Sequence, residues 1–158
     1  GFLERLPRSD FRFAVELRHA AFFNGADEEA EAAAVLRKHQ VDTVLMDARG
    51  LHASDAPGLA EVRRRKPDLP VVMRATGKHP VVRVVPHPDF AGQVRFVAPW
   101  VEQLATWIEA GLQPFFFMHA PRDTFAPENA YAFHRMLAER VAVGELPPWP
   151  AEQLELLG

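Results

Sequence analysis

The 158-residue sequence is long enough for one domain with a substantial core. Its formal net charge of -3 excludes a broad basic surface for nucleic acid but allows a local basic patch. The absence of cysteine excludes disulfide bonds and thiolate metal sites, so a metal would need His, Asp or Glu ligands. The longest apolar run, at 114–118, is far shorter than the ~20 residues of a membrane-spanning helix, and no secretory signal is visible. We therefore expect a cytoplasmic protein with no membrane partner.

The first half of the chain alternates strand and helix patterns. Residues 11–19 (FRFAVELRH) alternate apolar and polar side chains and predict a first strand. Residues 24–40 predict a helix, because acidic residues near its start and basic residues near its end match the helix dipole. Residues 42–49 (DTVLMDAR) predict a second strand, and a short helical piece follows around 59–65. The chain opens without Met, in a helix-like segment, so we expect an excerpt from a longer protein.

The second half continues the alternation. Its predicted elements are a third strand at 70–77, a possible fourth strand at 80–86, a helix at 98–112 with Pro99 in its first turn, an apolar strand at 113–120 buried on both faces, and a last helix at 127–143. We therefore expect two parts, a folded region over 1–143 and a proline-rich tail over 144–158.

Strands that alternate with helices predict a parallel sheet in an α/β fold. The units are too few for a complete eight-stranded TIM-type (β/α) barrel of ~250 residues, and their number fits the second half of one.

The order of these segments resembles the YecE-like family, domain of unknown function 72. The resemblance is carried by residues 13–23 (FAVELRHAAFF), 41–49, 70–76, 81–89 (VVRVVPHPD), 98–111 and 114–137. It implies a TIM-type barrel, of which this chain would hold the C-terminal half to two-thirds. It implies sugar isomerase or AP-site endonuclease chemistry only by analogy of fold.

Strand periodicity predicts which side chains point into such a barrel. The residues expected to face inward are Ala14, Glu16 and Arg18 on the first strand and Leu45, Asp47 and Arg49 on the second. Residues Val72, Arg74 and Thr76 are expected to share one face of the third strand, and Phe115, Phe117 and His119 one face of the last. Each of these strands thus places a polar residue near its carboxyl end, where TIM-barrel active sites form.

These side chains suggest an enzyme that binds an anion. We expect Glu16, Asp47 and His119 to supply acid–base catalysis. The residues expected to bind the substrate are Arg18, His19, Arg49, Arg74 and Arg83, because arginine forks grip phosphate or carboxylate. Carboxylates and histidines of this set could instead hold a hard divalent ion, but the excess of arginine favours an anionic ligand over a metal cofactor.

A structural interpretation competes with this site. Glu16 with Arg18, and Asp47 with Arg49, are each two residues apart on one strand face, and buried charges are generally found paired. They could therefore form ion pairs that only stabilise the fold.

The tail suggests a protein partner. Residues Gln153, Leu154, Leu156 and Leu157 resemble the Gln-Leu-x-Leu-Phe peptide by which bacterial DNA-processing proteins dock on the sliding clamp, with Leu157 in place of Phe. The alternative is a terminal helical turn that packs its own leucines.

The sequence therefore leaves three functions open. The first is an enzyme for a phosphorylated or nucleic-acid-derived substrate, the second a metal enzyme similar to sugar isomerases, and the third a non-catalytic scaffold recruited to the sliding clamp.

Overall fold

The computed structural model describes residues 1–87, 90–119 and 126–147, which form an α/β fold. Its strands are β1 (Ala14–Glu16), β2 (Asp42–Asp47), β3 (Val81–Val84) and β4 (Phe115–Met118). Its α-helices are α1 (Asp27–Lys38), α2 (Arg49–His52), α3 (Ala60–Arg65), α4 (Phe90–Glu109) and α5 (Ala126–Ala138). Short 3-10 turns lie at Phe2–Arg5 and Ala20–Phe23. Within these residues, none of the helices is long and apolar enough to cross a membrane.

The four strands form one parallel sheet in the order β1-β2-β3-β4. Each strand after the first is hydrogen-bonded to the strand that precedes it in the chain. In register, Glu16 lies beside Val44, and Arg83 lies between Met46 and Phe117. Because partners in register point to the same side, this pairing fixes two faces of the sheet.

The first face, here called the helix face, packs against the helices and forms the core with them. Its residues include Leu45, Val82, Val84, Phe116 and Met118, and they pack with Trp100 and Leu104 of α4 and Phe133 of α5. The Phe116 ring stacks on Phe133, with centroids 3.9 Å apart, and meets Trp100 edge-on at 6.4 Å.

The second face, here called the open face, carries Glu16, Arg83, Phe115 and Phe117. Phe115 and Phe117 are 53% and 51% exposed. The prediction that the last strand is buried on both faces is therefore wrong, although these two rings do share a face as expected.

The segment at 70–77, predicted to be the third strand, is not a strand. Both edges of β2 are already paired, with β1 and β3, so the segment has no free edge of that strand to join. It packs Val71, Met73 and Ala75 against the core instead. The alternating apolar residues thus predicted correctly that one side of the segment is buried. They predicted wrongly that its backbone is hydrogen-bonded into the sheet.

Helix α4 begins at Phe90, eight residues before the predicted start, so Pro99 lies inside the helix and not in its first turn. Proline removes one helical hydrogen bond and tends to kink or break a helix. Val97, Trp100 and Leu104 form a fully buried stripe that spans the proline. The burial of this stripe explains why the helix continues through Pro99.

Candidate functional site

Three polar side chains from three strands meet at the carboxyl end of the open face. Glu16 is the last residue of β1, Arg83 the third of four residues of β3, and His119 follows β4 directly. Since all strands are parallel, their carboxyl ends lie at one edge of the sheet. We call Glu16, Arg18, Arg83 and His119 the carboxyl-end cluster.

Arg83 connects the carboxyl-end cluster. Its Nη1 donates to Glu16 Oε2 at 2.6 Å, and its Nη2 lies 3.3 Å from His119 Nε2. Arg18 Nε donates to the other carboxylate oxygen of Glu16 at 2.5 Å. The Glu16 and Arg83 side chains are 14% and 27% exposed, whereas that of Arg18 is 59% exposed. The cluster is therefore anchored at Glu16 and opens to solvent through Arg18.

The contacts of Arg83 constrain the histidine. A guanidinium carries only hydrogen-bond donors, so Arg83 can bond to His119 Nε2 only when that nitrogen has no proton. Two guanidinium groups face one carboxylate, so Arg18, Arg83 and Glu16 together carry a net charge of +1.

Asp47 lies on the opposite side of the sheet from the carboxyl-end cluster, so the prediction that it faces the same way as Glu16 is wrong. Its carboxylate is 1% exposed. Oδ2 accepts from Trp100 Nε1 at 2.7 Å and from Arg49 Nη2 at 2.7 Å, and Oδ1 accepts from Arg49 Nε and the Arg49 backbone N–H, both at 3.0 Å. Hydrogen bonds from Arg49 to Asp47 raise the pKa of that guanidinium, against a smaller effect of burial, and the nearby negative charge adds to the rise. The bond from Trp100 fastens α4 to β2, and the bonds from Arg49 fasten the start of α2 to the same carboxylate.

The remaining predicted residues do not join the carboxyl-end cluster by any described contact. Arg74 donates to Glu29 of α1 at 2.6 Å, and the Glu29 side chain is 8% exposed. Together these two residues line a small apolar gap between α1 and the helix face. His19 accepts at Nδ1 from the backbone N–H of Ala21 at 3.3 Å and so caps the 3-10 turn that follows. The tail residues Gln153, Leu154, Leu156 and Leu157 lie outside the described residues.

The sequence did not reveal the partners of two predicted site residues, which are Glu29 for Arg74 and Trp100 for Asp47. Glu29 was one of several acidic residues near the start of α1 and gave no sign that it is buried. Trp100 fits the apolar stripe of its helix, so the sequence pattern accounts for its burial and does not predict its hydrogen bond to Asp47. In the part of the chain that the structure describes, no group of three or more His, Asp or Glu is placed to hold a metal ion.

The comparisons with known proteins agree on one family. The model of the family described as "Protein of unknown function DUF72" matches residues 1–154. The UPF0759 protein YecE of Escherichia coli K12, like that of strain O157:H7, is 29% identical over 154 residues, which is 96% of this chain and 56% of YecE. The chain thus spans little more than half the length of these curated relatives.

A solved structure agrees with the sequence match. The crystal structure of a DUF72 family protein from Enterococcus faecalis V583 superposes with a TM-score of 0.58 at 14% sequence identity, over 90% of this chain and 52% of that one. At this identity the likeness concerns the fold alone. The family model covers nearly the whole chain, and on that evidence the chain belongs to the DUF72 family.

Proposed function

We propose that this chain is part of an enzyme that binds a small anionic substrate, phosphorylated or nucleic-acid-derived, at the carboxyl ends of its strands. The observation that carries the proposal is the position of Arg83, which contacts both Glu16 and His119. A cation, a carboxylate and a histidine from three separate strands thereby meet at one point. Side chains from several strand ends are the usual composition of an active site in parallel α/β folds.

The charge of the carboxyl-end cluster favours an anion. Glu16 can neutralise only one of the two guanidinium groups that contact it. The excess positive charge lies at the surface, because the Arg18 side chain is 59% exposed. A guanidinium can offer two parallel N–H groups to two oxygens of a phosphate or carboxylate, which suits this arginine for gripping the substrate.

In this proposal the residues of the carboxyl-end cluster have different roles. His119 is the acid–base group, because its imidazole lies at the carboxyl ends of the strands beside Arg83 and Glu16. Glu16 orients the two arginines and does not itself transfer a proton. Two residues expected from sequence to act in the site hold other elements instead: Asp47 fastens α4 to β2, and Arg74 fastens the segment at 70–77 to α1.

We also propose that the sheet is an arc of a TIM-type (β/α) barrel. The strand order β1-β2-β3-β4 is the one that a singly wound barrel requires, whereas doubly wound sheets reverse their order. The half-exposed Phe115 and Phe117 would then face the barrel interior. The open face would be covered by further strands, in keeping with relatives nearly twice as long.

A purely structural role for the carboxyl-end cluster is the competing proposal, and the short Glu16–Arg83 contact favours it. Thermal shift and calorimetric titration with ribose 5-phosphate, fructose 6-phosphate and AMP distinguish the ligand-binding proposal from the structural one. Arg18→Gln is the decisive variant, because Glu16 keeps its bond to Arg83 and the fold keeps its ion pair.

We expect at least one of these anions to raise the melting temperature of the wild type. Loss of one charged hydrogen bond should weaken that binding about tenfold in Arg18→Gln. The matched control is Arg64→Gln, which removes the same charge at an exposed residue of α3. If Arg18→Gln and Arg64→Gln bind alike, or if no anion binds the wild type, the carboxyl-end cluster is structural.

A further inference from the structure

A second cavity lies at the other end of the sheet, where the strands begin. It has a volume of about 260 Å³, and its polar lining includes Arg12, Arg37, Gln40, Lys78 and His79. Arg12 precedes β1 by two residues, Gln40 precedes β2 by two, and Lys78 precedes β3 by three. We call this the amino-end cavity. It shares no residue with the carboxyl-end cluster.

The amino-end cavity is lined by three cations that have no described partner. The side chains of Arg12, Arg37 and Lys78 are exposed, and none forms a hydrogen bond or ion pair with another described residue. The acidic residue in the lining is Asp42, which is 4% exposed and accepts the backbone N–H of His79 at 2.8 Å. Three cations against one carboxylate leave the lining at +2, on a chain whose net charge is -3.

The loop that carries Lys78 is held in place. Thr76 Oγ1 donates to the carbonyl of Val41 at 2.9 Å, and Gln113 donates its backbone N–H to the carbonyl of Lys78 at 2.8 Å. Gly77 lies directly against Asp42, since a Cβ at that glycine would be 2.3 Å from Oδ1. The backbone below Lys78 is thus fixed before any ligand arrives, which reduces the entropy lost on binding.

Gln40 reaches the amino-end cavity from a left-handed backbone position. It follows the C-cap of α1 with φ 53°, and the bonds from Val41 N–H to Leu36 O and from Gln40 N–H to Arg37 O form a Schellman motif. Glycine is the usual residue at this position, because any side chain is strained there. In this protein the left-handed position is taken by Gln40, whose side-chain amide lines the cavity.

We infer that the amino-end cavity binds a phosphate group, either as free phosphate or as a phosphomonoester. Arg12 and Arg37 supply planar forks for phosphate oxygens and Lys78 supplies a point charge. Gln40 adds a neutral donor. This site is distinct from the proposed substrate site and does not depend on it.

The test is calorimetric titration of the wild type and single variants with inorganic phosphate and, separately, with methyl phosphate. The first arm reports free phosphate and the second reports a monoester. Arg37→Gln and Lys78→Gln should each weaken binding about tenfold, and Gln40→Gly about threefold, as expected for charged and neutral hydrogen bonds. Both charge variants are at exposed positions, so their melting temperatures should stay within about 2 °C of the wild type.

Two controls assign the site. Arg64→Gln removes one charge outside both sites and should leave phosphate affinity unchanged. Arg18→Gln removes one of the two cations of the carboxyl-end cluster and should leave the amino-end component of binding intact, which separates failure of this inference from failure of the proposed function. The inference is overturned if Arg37→Gln and Lys78→Gln bind phosphate like Arg64→Gln, or if neither ligand binds the wild type below about 10 mM.

Discussion

Replacement of Asp47 by Asn tests whether this carboxylate holds the fold together or performs chemistry. Asp47 accepts four N–H groups, three from Arg49 and one from the indole of Trp100. Asparagine has the same shape but offers one oxygen and one NH₂ group. In either orientation of the amide, two of these donors lose their acceptor and meet another donor.

The cost follows from which donors are left unpaired. With the NH₂ group at the Oδ2 position, the N–H of Trp100 loses its acceptor, and with it at the Oδ1 position the backbone N–H of Arg49 does. Trp100 is fully buried and cannot turn to water, and either unpaired donor costs about 1–3 kcal/mol. The Arg49 side chain is 37% exposed and can turn to solvent, so its loss is smaller than the about 3–5 kcal/mol of a fully buried broken pair. We therefore expect Asp47→Asn to lower the free energy of unfolding by about 3 kcal/mol, which is roughly 6–12 °C in melting temperature for a domain of this size.

The assay is urea denaturation followed by the fluorescence of the tryptophans, with thermal unfolding as a second measurement. Asp55→Asn makes the same chemical change at an exposed residue and should cost less than about 0.5 kcal/mol. Below the melting temperature, Asp47→Asn should keep whatever anion-dependent stabilisation the wild type shows. If it destabilises no more than Asp55→Asn, or if it abolishes ligand binding without a loss of stability, the structural assignment of Asp47 is refuted.

Two further predictions concern the faces of the sheet and the end of α1. Phe116→Ala should cost about 3 kcal/mol, because its ring packs on the helix face against Phe133. Phe117→Ala, on the open face, should cost less than about 1 kcal/mol in the same denaturation assay, and equal costs would contradict the assignment of the two faces. Gln40→Gly should raise the free energy of unfolding by about 0.5–1 kcal/mol, because glycine relieves the left-handed strain but loosens the unfolded chain, and a lower value than the wild type would contradict the strain argument.

The regular elements could largely be predicted from the sequence, and the hydrogen-bonded neighbours of one segment could not. Residues 24–40 carry the charge pattern of a helix, and α1 lies within them. The alternation at 70–77 is as strong as that of a strand, but alternation reports burial on one side and not a free strand edge. Whether an edge is free depends on the order of the whole sheet, which no local pattern contains.

The direction of side chains was predictable where the two faces of a strand differ chemically. In β1 the residues Val15 and Glu16 differ, so the open face could be identified for Glu16. In β2 the apolar Val44, Leu45 and Met46 occupy both faces, and the pattern cannot distinguish them. Asp47 was therefore assigned to the wrong face, and the deciding contact, with Trp100, joins residues 53 apart in sequence.

The second arginine at Glu16 is a further argument for a ligand at the carboxyl-end cluster. A structural ion pair needs one guanidinium, and Arg83 already supplies it from a position that is 27% exposed. Arg18 adds a second at 59% exposure, and an exposed ion pair contributes at most about 1 kcal/mol to stability. Stability therefore accounts for Arg83 and leaves Arg18 with little effect on the fold. An anion that binds Arg18 would neutralise the charge that Glu16 cannot, and it would lie at the same strand ends as the imidazole of His119.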